Sequence, residues 1–199
     1  VNGAGGLYYN PAGGGGEVLT GSMTILDANQ PIVIGDGGAW ASPNGNDGAA
    51  STFAGLTASG GVAGTSNPSG AGAGGDSGNG NTGSASDFGN PFESGAGGGA
   101  GGAAQSQILG GVGVASDISG TSVTYGTGGS GRGNAVATPP PGGVGDNQDG
   151  TPNTGAGAGS GSQSGGSGVV IIRYRTSTTA ITLATNNGNV GIGTDNPTE

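Results

Sequence analysis

The sequence predicts an all-β or irregular fold with essentially no α-helix, in which a small β-sandwich frame holds packed polyglycine II helices. Three observations carry that expectation. Gly supplies 54 of the 199 residues, against an average usage of about 7%. Val, Ile, Leu and Phe together supply only 30 residues, too few for an ordinary side-chain core. The apolar residues gather in short β-branched segments, separated by glycine tracts longer than the loops of about 12 to 15 residues that compact domains usually carry.

Taken from the amino end, residues 18–26 (VLTGSMTIL) and 31–34 (PIVI) read as strands, with Asn29, Gln30 and Pro31 as the turn between them. Residues 121–125 (TSVTY), 169–175 (VVIIRYR) and 180–184 (AITLA) have the same character. In VVIIRYR the two-residue strand period puts Val170, Ile172 and Tyr174 on one face and Val169, Ile171, Arg173 and Arg175 on the other. Both faces begin apolar, so the start of this strand is expected to be buried and its end to emerge. A helix needs about ten residues of 3.6-residue periodicity without interior Gly. The best candidate, 103–109 (AAQSQIL), has Gly on both sides, and no helix is expected.

The glycine tracts 35–61, 70–83, 95–113 and 142–168 are either disordered or regular in their own way. A net charge of -9 carried by only 15 charged residues is a low charge density, unlike the highly charged composition of disordered chains. Collagen is excluded, because its strict Gly at every third position is broken by GAGAGG and GSGSQSGG. Polyglycine can instead form an extended left-handed helix with three residues per turn and about 3.1 Å rise. Without Cβ atoms, such helices approach until their backbones hydrogen-bond sideways, and each buried N–H and C=O finds a lateral partner. Ordering costs about 1 to 2 kcal/mol per residue, so single glycine helices melt and several must pack together.

Composition also removes function classes. The chain has no Cys, no His and, with Arg132, Arg173 and Arg175 as its three cations, no Lys. Ser-His and Cys-His nucleophiles, Schiff-base chemistry and most zinc sites are thereby excluded. Three cations cannot neutralise a phosphate backbone, so no nucleic acid partner is expected. The longest apolar run, 169–172, falls far short of the roughly 20 residues that span a bilayer, and no membrane insertion is expected. No cofactor is expected either.

PIVIGDGGA (31–39), STFAGLTASGG (51–61), GGVGVASDISGTSVTYG (110–126) and GGSGVVIIRY (165–174) are spread over nearly the whole chain. Together they resemble the glycine-rich domain of bacteriophage tail-fibre and adhesin proteins, in which a strand pair leads into glycine tracts closed by a GGSGVVIIRY strand. Members usually begin with an apolar strand, of which Val1, Asn2 and Gly3 resemble only the end. The resemblance implies a glycine-rich β/polyglycine domain over residues 1–176. GNVGIGTDNPTE (188–199) is similar to a motif common in phage fibres ahead of a trimeric region, which implies that 177–199 starts a fibre stem or connector. There Ile181, Leu183, Val190 and Ile192 either join a three-chain stem or pack on their own sheet, and a homotrimer is the expectation. By the same resemblance the chain belongs to the virion's tail fibre, neighbours other fibre proteins and faces a host surface glycan or outer-membrane protein.

Chemical motifs are few. Two G-x-G-x-x-G matches, from Gly70 and from Gly78, follow no strand and open no helix, as dinucleotide binding requires, and chance accounts for them in so glycine-rich a chain. Without Lys there is no Walker-type phosphate loop. Asp87 and Glu93 bracket two aromatics in DFGNPFE, and Asp146 and Asp149 stand close in DNQDG. Paired carboxylates serve glycosidases, but Asp also suits turns through side-chain to backbone bonds, and the turn role is favoured. Asp146 and Asp149 are the weak candidates for Ca²⁺, as is the NGND segment 44–47, although neither has EF-hand spacing.

Trp40, Phe53, Phe88, Phe92, Tyr8, Tyr9 and Tyr125 either plug the edges of the glycine array or form an aromatic platform for a receptor. Trp40, Tyr8 and Tyr9 are the candidate receptor contacts. The leading expectation is a structural and adhesive fibre segment, with no enzyme activity. A bacterial extracellular surface or matrix filament protein is the alternative, and an ice-binding protein the third.

Overall fold

The computed structural model describes residues 10–24, 29–41, 44–66, 72–86, 93–133, 138–174, 184–186 and 189–191. Its interior is built of backbone, and the tract 12–17 shows how. The amides of Ala12 and Gly15 donate to the carbonyls of Gly95 and Gly98, at 3.1 and 2.9 Å. Those of Gly13 and Gly16 donate to Ala158 and Gly155, at 3.0 and 2.8 Å, and those of Gly14 and Glu17 to Val62 and Ser59, at 3.0 and 2.8 Å. Bond direction therefore repeats every three residues, the period of the extended three-fold helix. In the opposite sense the Ala12 and Gly15 carbonyls accept from Gly75 and Gly78, and the Gly13 carbonyl accepts from Gly129.

Tract 12–17 is thus bonded to tracts 59–62, 75–78, 95–98, 126–129 and 155–158. These neighbours bond to one another in turn, through Val62 N–H to Asp76, Gly98 N–H to Gly75, Gly97 N–H to Gly129 and Gly157 N–H to Thr127. The expectation of laterally bonded glycine tracts is met. Glycine is required because the axes lie so close: a Cβ added at Gly14 would overlap the Asp76 carbonyl oxygen, and one at Gly15 the Gly126 carbonyl oxygen.

What is buried is accordingly small. Ala12 and Ala96 are fully buried, as are Ser94, Thr127, Ser130 and Ser160. Tyr125 and Val144 are the largest hydrophobic side chains buried among the described residues. Serine hydroxyls fill gaps in the amide pattern. Ser94 Oγ accepts from the Arg132 amide at 3.0 Å, and Ser84 Oγ accepts from the Ala96 amide at 2.8 Å while donating to the Gln107 carbonyl at 3.2 Å. A hydroxyl can both donate and accept, so it joins a lattice of amides without breaking it.

The strands are short and sit at the margins. β1 (Ile32–Val33), β2 (Ser51–Phe53) and β3 (Leu56–Ala58) form one antiparallel sheet in that order. β4 (Val114–Ser116) pairs with β5 (Val123–Tyr125), and β6 (Ala184–Asn186) with β7 (Asn189–Gly191). Ala54 and Gly55, with φ of 48° and 80°, make the two-residue turn between β2 and β3, the left-handed geometry that matches strand twist in tight hairpins. No residue among those described is helical, including 103–109.

Several sequence expectations are corrected in detail. Residues 18–24 form no strand; the Val18 amide bonds instead to Asn79 Oδ1 at 3.1 Å. β1 pairs with β2, Ile32 facing Phe53 and Val33 facing Thr52, so 29–31 do not join it in a hairpin to 18–24; residues 25 and 26 of the expected strand lie outside the described residues. Residues 169–174 enter no ladder, and Val169, Ile172 and Tyr174 are exposed, Tyr174 by 79%. A strand pattern needs a neighbouring edge to become a strand, and the described chain places none beside 169–174. The expected strand at 121–125 is present as β5. Of 180–184, only Ala184 lies within the described residues, as the start of β6.

Candidate functional site

Beside tract 12–17 lies a cavity of about 990 Å³. A closed circuit of six tracts walls it. From 12–17 the bonds pass to 59–62, then to 46–49 through the Gly48 amide on Gly61, and to 36–39 through the Asn46 amide on Ala39 and the Ala49 amide on Asp36. They continue to 165–168 through the amides of Gly165 and Gly168 on Gly38 and Gly35. Gly166 on Ala156 and Gly155 on Ser167 lead to 155–158, which returns to 12–17. The bonds among the other five tracts measure 2.8 or 2.9 Å, and those that tie 12–17 to 59–62 and 155–158 measure 2.8 or 3.0 Å.

Glycines that face this channel differ from those inside the packed tracts. A Cβ at Gly16 would come no nearer than 3.6 Å to Gly155 O and Ser59 O, and one at Gly13 no nearer than 3.5 Å to Ala158 N. Beside Gly13 and Gly16 the channel therefore has room that Gly14 and Gly15 lack. Where it opens it becomes apolar. Leu19, Met23, Leu56, Val62, Ile172 and Tyr174 all line it and are all exposed, and clustered exposure of large hydrophobic groups marks a surface that meets something.

Of the residues singled out for receptor contact, Trp40 lines the channel and is 44% exposed, its amide donating to Ser164 Oγ at 3.3 Å. Tyr8 and Tyr9 lie outside the described residues, as do Phe88, Phe92 and Asp87. Tyr125 is buried and Phe53 half-buried, in keeping with aromatics that seal the array. No signal in the sequence distinguishes Leu19, Met23 or Leu56 as channel residues, because their exposure follows from the course of tracts that begin elsewhere in the chain.

The candidate calcium residues hold up lattice edges. Ser160 Oγ donates to Asp146 Oδ1 at 2.5 Å, while Asp146 Oδ2 lies 3.7 Å from Arg132 Nε. Asp149 Oδ1 accepts from the Ser164 amide at 2.8 Å. Among the described residues no group of three or more His, Cys, Asp or Glu could hold a metal ion. The Arg132 pair is about a third exposed on both sides, so it adds little to stability.

A lattice of glycine backbone beside a partly apolar channel defines a glycine-rich domain, distinct from domains cored by side chains. The family model described as glycine-rich domain matches residues 2–175, and the chain belongs to that family. No curated protein and no solved structure matches the chain.

Proposed function

We propose that this chain is a structural and adhesive segment of a bacteriophage tail fibre, which projects from the virion and contributes to host attachment. The observation that carries the reading is the glycine lattice itself. Its strength lies in short lateral backbone bonds, so that large side chains stand on the surface rather than fill a core. Ile32, Val33, Trp40 and Leu56 do so, and exposed apolar side chains of this kind suit adhesion. The sequence 188–199, similar to phage fibre stems, supports the virion context and a homotrimer. The receptor class that fits an aromatic and apolar face is a surface glycan or an outer-membrane protein, met by Trp40 stacking on a sugar ring or an apolar loop.

Antibody raised against the purified chain tests the assignment. Decoration of tail fibres in electron micrographs, together with competition by the free chain for phage adsorption, is the expected outcome. Decoration of bacterial surface filaments instead would overturn it in favour of an extracellular matrix protein. Replacing Trp40 with Ala is expected to lower competition at least about tenfold, a loss of the size usual for an aromatic contact at the centre of an interface.

A further inference from the structure

Two Asn-Gly pairs stand among the described residues, Asn44 with Gly45 and Asn79 with Gly80, and both asparagines are exposed. A glycine after asparagine leaves its own amide nitrogen sterically free to approach the carboxamide, so the pair carries an electrophile and a nucleophile on adjacent residues. The fold treats the two pairs differently. At Asn79 the Gly80 amide is committed to the Ser77 carbonyl at 2.8 Å, and Gly80 is held at a φ of 80°. At Asn44 the chain bends, and the Gly45 amide donates to no acceptor among the described residues. Gly45 also has slack: an added Cβ would come no nearer than 3.6 Å to Ala63 Cβ and 3.8 Å to Ala39 O. The carboxamides differ as well. Asn44 Oδ1 accepts from the Ser66 amide at 2.7 Å, whereas Asn79 Oδ1 accepts from the Val18 amide at 3.1 Å.

We propose that Asn44 is a site of spontaneous deamidation and isomerisation, promoted by the Ser66 amide. The Gly45 nitrogen gives its proton to hydroxide and bonds to Asn44 Cγ. Negative charge then gathers on Oδ1, where the Ser66 N–H already points, and a backbone donor so placed stabilises a tetrahedral oxyanion. The Cγ–Nδ2 bond breaks, the departing nitrogen takes a proton from water and leaves as ammonia, and a cyclic succinimide remains. Water then opens the ring. Cleavage at Cγ gives aspartate, cleavage at the main-chain carbonyl gives isoaspartate, and no oxidant or reductant takes part. Either product adds a negative charge to a chain already at -9. Isoaspartate also adds a methylene to the backbone between tracts 36–39 and 46–49, which are bonded to each other through the amides of Asn46 and Ala49. The inference goes beyond the fibre reading and holds whatever particle the chain belongs to.

Peptide mapping by mass spectrometry, on the full-length chain sampled during incubation at mildly alkaline pH, is the test. Fragmentation that separates aspartate from isoaspartate reads each site. Asn44 is expected to convert at least about fivefold faster than Asn79, the factor that corresponds to breaking one hydrogen bond of about 1 kcal/mol before Gly80 can react. Equal rates, or faster conversion at Asn79, would overturn the proposal. In concentrated urea, where both hydrogen-bond patterns are gone, the difference should vanish. A ratio that survives unfolding would assign it to the flanking sequence and likewise overturn the proposal. Gly45→Ala, which the clearance around Gly45 admits, should bring conversion of Asn44 below that of Asn79 and leave the melting temperature unchanged, because a Cβ obstructs the attack. Conversion at the parent rate in that variant would show direct hydrolysis of the carboxamide, against the proposal.

Discussion

Gly14 and Gly16, two residues apart, answer to different constraints. The first has no room for a methyl group because the Asp76 carbonyl occupies it; the second faces the channel. Gly14→Ala is expected to destabilise the fold by about 3 kcal/mol or more, the upper range for overpacking a close-packed interior. Gly21→Ala, where nothing lies within 4 Å, should stay within about 0.5 kcal/mol of the parent; urea titration of both variants provides the comparison. The sequence reading identified glycine as the lattice material but could not rank these positions. Rank depends on which carbonyl a tract some 60 residues away brings alongside, and no local pattern encodes that. Ala54 is the opposite case, a Cβ where glycine or asparagine would fit better. At φ 48° it sits in the left-handed region, disfavoured for alanine by roughly 1 to 2 kcal/mol. Ala54→Asn should therefore raise the melting temperature, and a fall would show that the methyl group has a packing role.

At the scale of the element, carboxylates and side-chain amides do the work of missing backbone. Asp47 Oδ1 accepts from the Ala63 amide at 2.7 Å, Asp76 Oδ1 from the Gly83 amide at 2.9 Å and Glu17 Oε2 from the Ser59 amide at 2.9 Å. In each case an acidic side chain serves as the acceptor for a backbone amide elsewhere in the chain. Asp47→Ala should cost about 1 kcal/mol, the usual net value of one such bond, while Asp47→Asn keeps an acceptor and should cost less; thermal unfolding of the pair distinguishes the two. The sequence reading placed acidic residues in turns, where Asp bonds to nearby backbone; these carboxylates instead accept from amides 16, 7 and 42 positions away. The strands were legible only in part. β5 was indicated by its β-branched residues, but β2 and β3 were overlooked within a glycine tract, because three residues each are too few to establish an alternating pattern. Segments 18–24 and 169–174 carried that pattern and still formed no ladder, since pairing is decided by the neighbour as well as by the strand.

For the molecule as a whole, an interior of peptide groups changes the thermodynamics of unfolding. Heat capacity rises when apolar surface is exposed and falls when polar surface is exposed. With Ala, Ser and Thr where Leu and Phe usually lie, unfolding should give a heat-capacity change well below the roughly 12 to 15 cal/mol/K per residue of ordinary domains. Calorimetry measures it directly; an ordinary value would mean that much more apolar surface is buried than the described residues contain. The absence of helix and the reliance on backbone packing could be anticipated from composition. The closed circuit of tracts around the channel could not, because it joins residues from 12 to 168 through bonds between peptide groups that look alike in any sequence.

The repeat of bond direction along 12–17 also constrains how such a chain can change length. Removing one residue from a tract turns everything beyond it by a third of a revolution, so that every later amide addresses the wrong neighbour. Removing three restores the phase and merely shortens the rod by one turn. Insertions and deletions within these tracts should therefore be tolerated in threes, a reading frame written in geometry rather than in codons.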